Sequence, residues 1–398
     1  MRGRGLELTE ATTTQARLTG VLAWPRWVFR LVASVQAMVI GVGGGLMFAG
    51  SAAMVDDWSK VPILPAIPGV LFGWMAVIAI HEMGHFIVAR WVGMTPYSVG
   101  VAGVYSWASS DGWRIRFRRM PAGAGGFVMS HFDADQPFRQ QMLPMLLGGA
   151  MANLLCGALL GLVGIGFWWS GAGVYLCALA LFSVCVGVAN LLPTRGKSIG
   201  SDGFQWLQWL RNDELAPVLA LRRLNALSLK GIPAEQLPAD CLDALSGIPV
   251  VGSALPHWFK LCALRNTGAW ADAARIGPEF ERAIECLPAA TARALSIFVQ
   301  QMRTEIAFCE AMASEQDKGE ICRHIDRSLD WHLPALRPRC RALEAALRGD
   351  IERMHAGLRE SERKMRKTFD IAYRNSEANL RRSIMDVARK TGSPSLPG

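Results

Sequence analysis

Apolar residues crowd the first half of this chain and thin out in the second. Residues 31–55 carry no charge, and residues 61–80 carry none until they meet a short polar cluster. Residues 142–194 form one uncharged stretch. About 20 apolar residues in a helix cross a hydrocarbon core of about 30 Å. The first two stretches each suit one span. The third suits two, with the turn at Trp169–Gly173, WSGAG. The pattern predicts transmembrane helices at about 31–52, 66–91, 143–168 and 173–193.

The connecting segment 92–141 reads differently. SVGVAGVYSW and WRIRFRRM are rich in β-branched and aromatic residues and flank ASSDG, which predicts a β-hairpin. PAGAGGFVM, residues 121–129, is too rich in glycine for a helix. From residue 204 the period changes to amphipathic helices, as in GAWADAARIGPEFERAIECL. The fold class expected is therefore mainly α. It is a polytopic membrane protein with four transmembrane helices, a small cytosolic β-hairpin region and a C-terminal all-α soluble domain. The boundaries expected are a cytosolic segment 1–30, a membrane core 31–203, a helical domain 204–341 and a basic helical tail 342–398 with a disordered end.

Charge refines this picture. The net charge is +9. Arg17, Arg26 and Arg30 precede the first span, and Arg90, Arg114, Arg116, Arg118, Arg119 and Arg139 lie between the second and third. Only Lys60, beside Asp56 and Asp57, lies between the first and second. This asymmetry sets both termini and the 91–141 loop in the cytosol, in a multi-pass inner-membrane protein. It also accounts for the basic residues without nucleic acid as a partner. The tail around ERKMRKTF suits either a solvated face or anionic lipid headgroups of the bilayer. The first thirty residues do not read as a cleavable signal peptide. The nine cysteines show no paired metal spacing and read as reduced, packed thiols.

The polar cluster is AIHEMGHFIVAR, residues 79–90. His81 and His85 share one helical face, so both can grip one zinc ion, with Glu82 beside them as general base. Ionisable residues at membrane depth are costly and mark function. A catalytic zinc takes three protein ligands and keeps one open position. Two residue types in the right regions offer the third ligand: Asp202, just past the fourth span, and His131 in SHFDAD, with Asp133 close by. The cytosolic depth of Asp202 matches that of the HEMGH turn.

These residues resemble the site-2 protease family of intramembrane zinc metalloproteases. His81-Glu82-Met83-Gly84-His85 resembles its HExxH, and residues 120–129 its Pro-Gly-Gly segment. Gly149-Ala150-Met151-Ala152-Asn153 resembles its Gly-Pro-x-x-Asn, and Asn190-Leu191-Leu192-Pro193 with Asp202-Gly203 its Asn-x-x-Pro…Asp-Gly. The resemblance covers residues 60–205 and implies Asp202 as the third ligand, with one zinc ion per chain. It further implies that Asn153 and Asn190 bind substrate backbone. An alternative for these amides is a plain hydrogen bond to a neighbouring helix. Three departures stand out. Ala150 replaces the proline, Ser201 replaces a leucine, and the spacer from Pro193 to Asp202 is longer and carries Arg195 and Lys197. The WSGAG turn leaves no room for a PDZ domain.

The function expected is hydrolysis of a peptide bond in or near a transmembrane segment of a membrane protein substrate. The helical domain would recruit substrate or bind a cytosolic protein partner. The rival readings are a transporter that uses the same residues for transit and an inactive membrane-anchored scaffold.

Overall fold

The computed structural model describes residues 26–53, 63–117, 125–195, 200–211, 216–248, 252–316, 319 and 321–392. The expected N-terminal segment up to residue 25, the first four residues of the PAGAGGFVM stretch, Lys197 and the expected disordered end fall outside them. The chain divides into two compact units.

The first unit comprises residues 18–107 and 115–214. Four of its helices are long and apolar enough to cross a membrane, as the hydropathy pattern predicts. They are α1 (Arg26–Ala52), α2 (Ile63–Trp91), α3 (Phe138–Gly166) and α4 (Gly171–Leu191). Each begins a few residues earlier than expected. α3 starts immediately after Pro137, which cannot continue a helix backwards without a clash. Ser170 starts α4 by accepting the Gly173 N–H at 3.1 Å. α3 turns Leu155, Leu159 and Leu162 outward at helical spacing, which is the stripe that lipid solvates. Met47, Val77, Tyr175, Leu179 and Phe182 form the internal core. Polar stitches cross the bundle: Gln36 donates to the Ala189 carbonyl at 2.9 Å, and Ser183 to the Asn153 carbonyl at 2.9 Å. Among the glycines of α1, a Cβ on Gly43 would meet Cys185 and Phe182, whereas Gly41, Gly44 and Gly45 face open space.

Where a single hairpin is expected, the fold forms a four-stranded sheet in the order β3-β2-β1-β4. Its strands are β1 (Thr95–Val101), β2 (Val104–Ser109), β3 (Gly112–Phe117) and β4 (Gly126–His131). SVGVAGVYSW reads as one strand by residue type but contains two. Ala102 and Gly103 both adopt positive φ, +48° and +91°, which makes a tight two-residue reversal. The glycine-rich stretch ends as β4, antiparallel to β1 with Val99 opposite Val128. β1 pairs β2 on its other side with Val99 opposite Ser106. α5 (Asp202–Arg211) closes the unit.

The second unit holds the hairpin tip 108–114 and the helices after residue 215. These are α6 (Ala216–Leu229), α7 (Ala239–Ala244), α8 (Leu255–Asn266), α9 (Trp270–Ala274), α10 (Ile276–Glu285), α11 (Ala289–Ala294), α12 (Ser296–Ser314), α13 (Arg327–His332), α14 (Leu336–Leu347), α15 (Ile351–Met365) and α16 (Ile371–Gly392). The basic segment expected as a separate tail is part of this core. Gly349 at φ +74° ends α14, and Asp350 caps α15 through the Arg353 N–H. Leu380, Ile384, Val387 and Ala388 of α16 join Leu224, Leu261 and Leu343 in one apolar cluster. The reason is amphipathicity: the basic residues of α16 occupy the opposite face. All nine cysteines are free thiols.

Candidate metal centre

Three elements of the membrane unit converge on one point. α2 brings His81, Glu82 and His85 from consecutive turns, all buried. α3 approaches α2 closely because Gly84 and Gly148 meet backbone to backbone, and a Cβ on either would strike the other chain segment. One residue on, a Cβ on Gly149 would fall against the Nε2 atoms of both His81 and His85. Gly149 therefore keeps open the space into which the imidazoles point. The sequence pattern shows this glycine, but its purpose appears only once the helices are packed.

α5 supplies Asp202 from its first turn. Its position depends on the departures noted in the sequence. Ser201 Oγ donates to the Leu192 carbonyl at 2.5 Å and accepts the Thr194 and Phe204 N–H groups at 3.0 and 3.2 Å. The Ser201 N–H also donates to the Thr194 carbonyl at 2.9 Å. Serine here caps the helix and ties the two ends of the longer spacer together, so the extra residues do not displace the carboxylate. Gly203 packs directly on the Leu191 carbonyl, where no Cβ would fit.

Asp202 Oδ2 lies 2.9 Å from His81 Nε2 and 3.3 Å from His85 Nε2, and the two Nε2 atoms lie 3.2 Å apart. One donor atom from each residue falls within 4.8 Å of the others. The other ring nitrogens are already engaged. His85 Nδ1 sits 2.7 Å from the Met145 carbonyl, so it carries the proton and leaves Nε2 as a lone-pair donor. His81 Nδ1 sits 3.2 Å from the Asn153 amide, whose Oδ1 has no partner in its buried position. A flip of that amide puts Oδ1 on the His81 Nδ1–H, which then has an acceptor. Two imidazoles and a carboxylate with converging lone pairs, in a cradle kept free by glycine, fit a zinc ion with its fourth position open.

The structure separates the candidates for the third ligand. Asp202 is in the cluster. His131 ends β4 opposite Thr95 and stacks on Tyr97 at 4.2 Å between ring centroids. Asp133 accepts the Asp135 N–H at 3.1 Å. Among the described residues, the one such metal-binding group is His81, His85 and Asp202. Asn153, expected at the substrate, is fully buried with its amide against His81. Asn190 donates to the Val186 carbonyl of its own helix at 3.0 Å. Glu82 lies beside the cluster with Oε2 buried and without a hydrogen-bond partner. Gly126, the first residue of β4, abuts the Glu82 carboxylate so closely that a Cβ would overlap it.

Comparison with known proteins agrees with this geometry. Residues 69–170 match the family model described as peptidase family M50. A protein of Rhizobium meliloti (strain 1021) named "Putative zinc metalloprotease" is 36% identical over 72 residues, which is 17% of this chain and 19% of that protein. The chain thus spans about a fifth of the length of the curated relative it matches. No solved structure matches. The matched segment contains His81, Glu82, His85, Gly149 and Asn153, and over that segment the chain is similar to the M50 metallopeptidases, the family of the site-2 proteases.

Proposed function

We propose that this protein is an intramembrane zinc metalloprotease that hydrolyses a peptide bond in or near a transmembrane segment of a membrane protein substrate. The observation that carries the reading is the convergence of His81 and His85, on a helix of membrane-spanning length, with Asp202, beside Glu82, whose Oε2 has no hydrogen-bond partner. His81, His85 and Asp202 hold the zinc. A bound zinc ion supplies Lewis-acid chemistry, polarising a carbonyl and acidifying water. Glu82 accepts the proton of the attacking water and returns it to the leaving amine. Asn153 and the Met145 carbonyl hold the two imidazoles in the tautomer that leaves Nε2 free.

A transmembrane helix hides its peptide bonds, so the substrate must be unwound to be cut. β4 supports capture of an extended segment. It begins at Glu82, and among the described residues it pairs only with β1. Its other edge offers unpaired backbone groups to which a peptide strand can add. The cytosolic placement of both termini, the inner-membrane location and recruitment of a protein partner by the helical unit belong to this same proposal. Arginine asymmetry supports the orientation. Cysteines placed at Ala172, in the first turn of α4, and at Arg293, in α11, test it. In a background free of native cysteines, an impermeant reagent should label the first and not the second in intact cells. The reverse result overturns the orientation. The activity is tested by membrane proteomics of cells carrying wild type or Glu82→Gln, followed by cleavage of an accumulating protein by the purified chain with and without a zinc chelator. No accumulating membrane protein and no chelator-sensitive cleavage would overturn the reading.

A further inference from the structure

The helical unit contains a cleft of about 360 Å³ whose lining is dominated by cations. Five basic side chains, Arg114, Arg327, Arg337, Arg341 and Lys364, face two carboxylates, Asp330 and Glu360. Both carboxylates are already engaged: Arg337 Nε holds Asp330 at 2.6 Å, and Lys364 Nζ holds Glu360 at 2.7 Å. Arg114 is fixed in place by Asp111 at 2.7 Å and by the Trp331 carbonyl at 3.0 Å. Arg327 and Arg341 stand exposed at the mouth, with no ion-pair partner within 4.0 Å among the described residues. Buried Pro334 and Pro338 and the half-buried Trp331 complete an apolar wall.

We infer that this cleft is a binding site for a phosphate-bearing anion. The charge excess calls for an anion, and its composition selects phosphate. Arg327 and Arg341 each present a planar fork of donors, and a phosphate has enough oxygens to satisfy two forks, whereas a carboxylate matches one. The volume lies at the small end of ligand pockets, about 300–1,000 Å³, which suits a small phosphorylated compound or a single lipid headgroup and not a folded partner. The proline and tryptophan wall gives an organic moiety a surface to rest on beside the charged end. The site is independent of the metal centre, and none of its residues belongs to the proposed catalytic machinery.

The test uses the full chain in nanodiscs of zwitterionic lipid, with inorganic pyrophosphate as the probe in titration calorimetry. Saturable binding is expected, weakened about tenfold by Arg341→Gln and further by the double change Arg327→Gln/Arg341→Gln, because each removes a charge-assisted contact. Binding should also weaken as sodium chloride is raised. The double variant should unfold at the same temperature and hold the same zinc as wild type, since both side chains are exposed. A second arm identifies the source of the phosphate. If nanodiscs containing phosphatidylglycerol suppress pyrophosphate binding, the ligand is a lipid headgroup. If they leave it unchanged, the ligand is a soluble phosphate. Absence of saturable binding, equal binding by the double variant, or tighter binding of a pentaglutamate peptide than of pyrophosphate would overturn the inference.

Discussion

The two units each bury a cluster of ionisable side chains, and the clusters are built on opposite plans. In the helical unit, Arg265 and Arg339 both reach Glu305 at 2.7 Å, and Arg339 reaches Glu377 at 2.7 Å, with all four side chains almost fully buried. Cations and anions are equal in number, and each charge meets its opposite inside the protein. In the membrane unit, His81, His85 and Asp202 turn lone pairs toward one another, with Gly149 preventing closure of the space between them. Among the described residues, no arginine or lysine pairs with that carboxylate. A closed cluster specifies how helices register and does no chemistry, although removing one member leaves a buried charge. A cluster whose valences stay open needs something from outside the chain. The contrast separates a structural site from a functional one when both are polar and buried.

The contrast predicts where damage falls. Asp202→Ala should empty the membrane cluster of zinc and abolish cleavage, since two imidazoles alone hold the ion weakly. His131→Ala and Asp133→Ala should leave metal content unchanged by elemental analysis of the purified protein. Retention of zinc by Asp202→Ala would break the assignment. Glu82→Gln should keep the zinc and slow hydrolysis by about 10²–10⁴-fold, the usual worth of a general base. Loss of metal in that variant would make Glu82 a ligand instead. Neither change should lower the stability of the helical unit.

The reciprocal experiment strikes the closed cluster. Arg339→Met should destabilise the helical unit by about 3–5 kcal/mol in urea unfolding, because Glu305 and Glu377 lose their common partner. Zinc content should not change. The two acids differ in direction. Burial pushes the Glu305 carboxyl up, but Arg265 and Arg339 outweigh it and hold it below the usual range. Burial dominates at Glu377 and holds it above. A lowered folded value contributes stability above the unfolded value, near pH 4, and that contribution is lost as pH falls. A raised one has the opposite sign. Glu305→Gln should therefore be costly at pH 7 and progressively less so on acidification below about pH 4. Glu377→Gln should change stability by about 1 kcal/mol or less, since it removes a penalised charge and retains a group for Arg339. Equal costs for the two substitutions would show that the pairs do not differ.

The smallest effects sharpen the geometry of the open cluster. Ser201→Ala removes a helix cap worth about 1 kcal/mol and loosens the loop that sets Asp202. It should weaken zinc about fivefold to tenfold in a chelator competition. Asn153→Ala should weaken it by about tenfold or more through His81, the range seen when outer partners of metal ligands are removed. If either variant binds zinc as wild type does, that residue does not position its ligand.

Much of the membrane unit was legible in the sequence because its signals are local. An uncharged run of fixed length meets one solvent requirement, and HEMGH places two imidazoles one turn apart whatever surrounds them. The sheet was harder to see. SVGVAGVYSW looks like one strand because Ala102 gives no sign of the left-handed backbone that reverses it. β4 looks irregular because Gly126, at its start, is there for clearance from Glu82 and not for strand propensity. The basic helices after residue 342 suggested a tail because charge dominates their composition, while the apolar stripe on α16 has a partner only once α6, α8 and α14 are in place.

The sequence by itself determined the four spans, the helical second half and the pairing of His81 with His85, because each follows from length, period or spacing along one element. Tertiary structure brought Asp202 and not His131, which lie 121 and 50 residues from His81, within reach of both imidazoles. It also decided that Asn153 lies against a histidine, that Gly149 leaves room for both imidazoles and that Ser201 closes a spacer. These depend on which backbone comes within a few ångströms of which side chain. That distance is fixed by the packing of α2, α3 and α5, and no residue carries it alone.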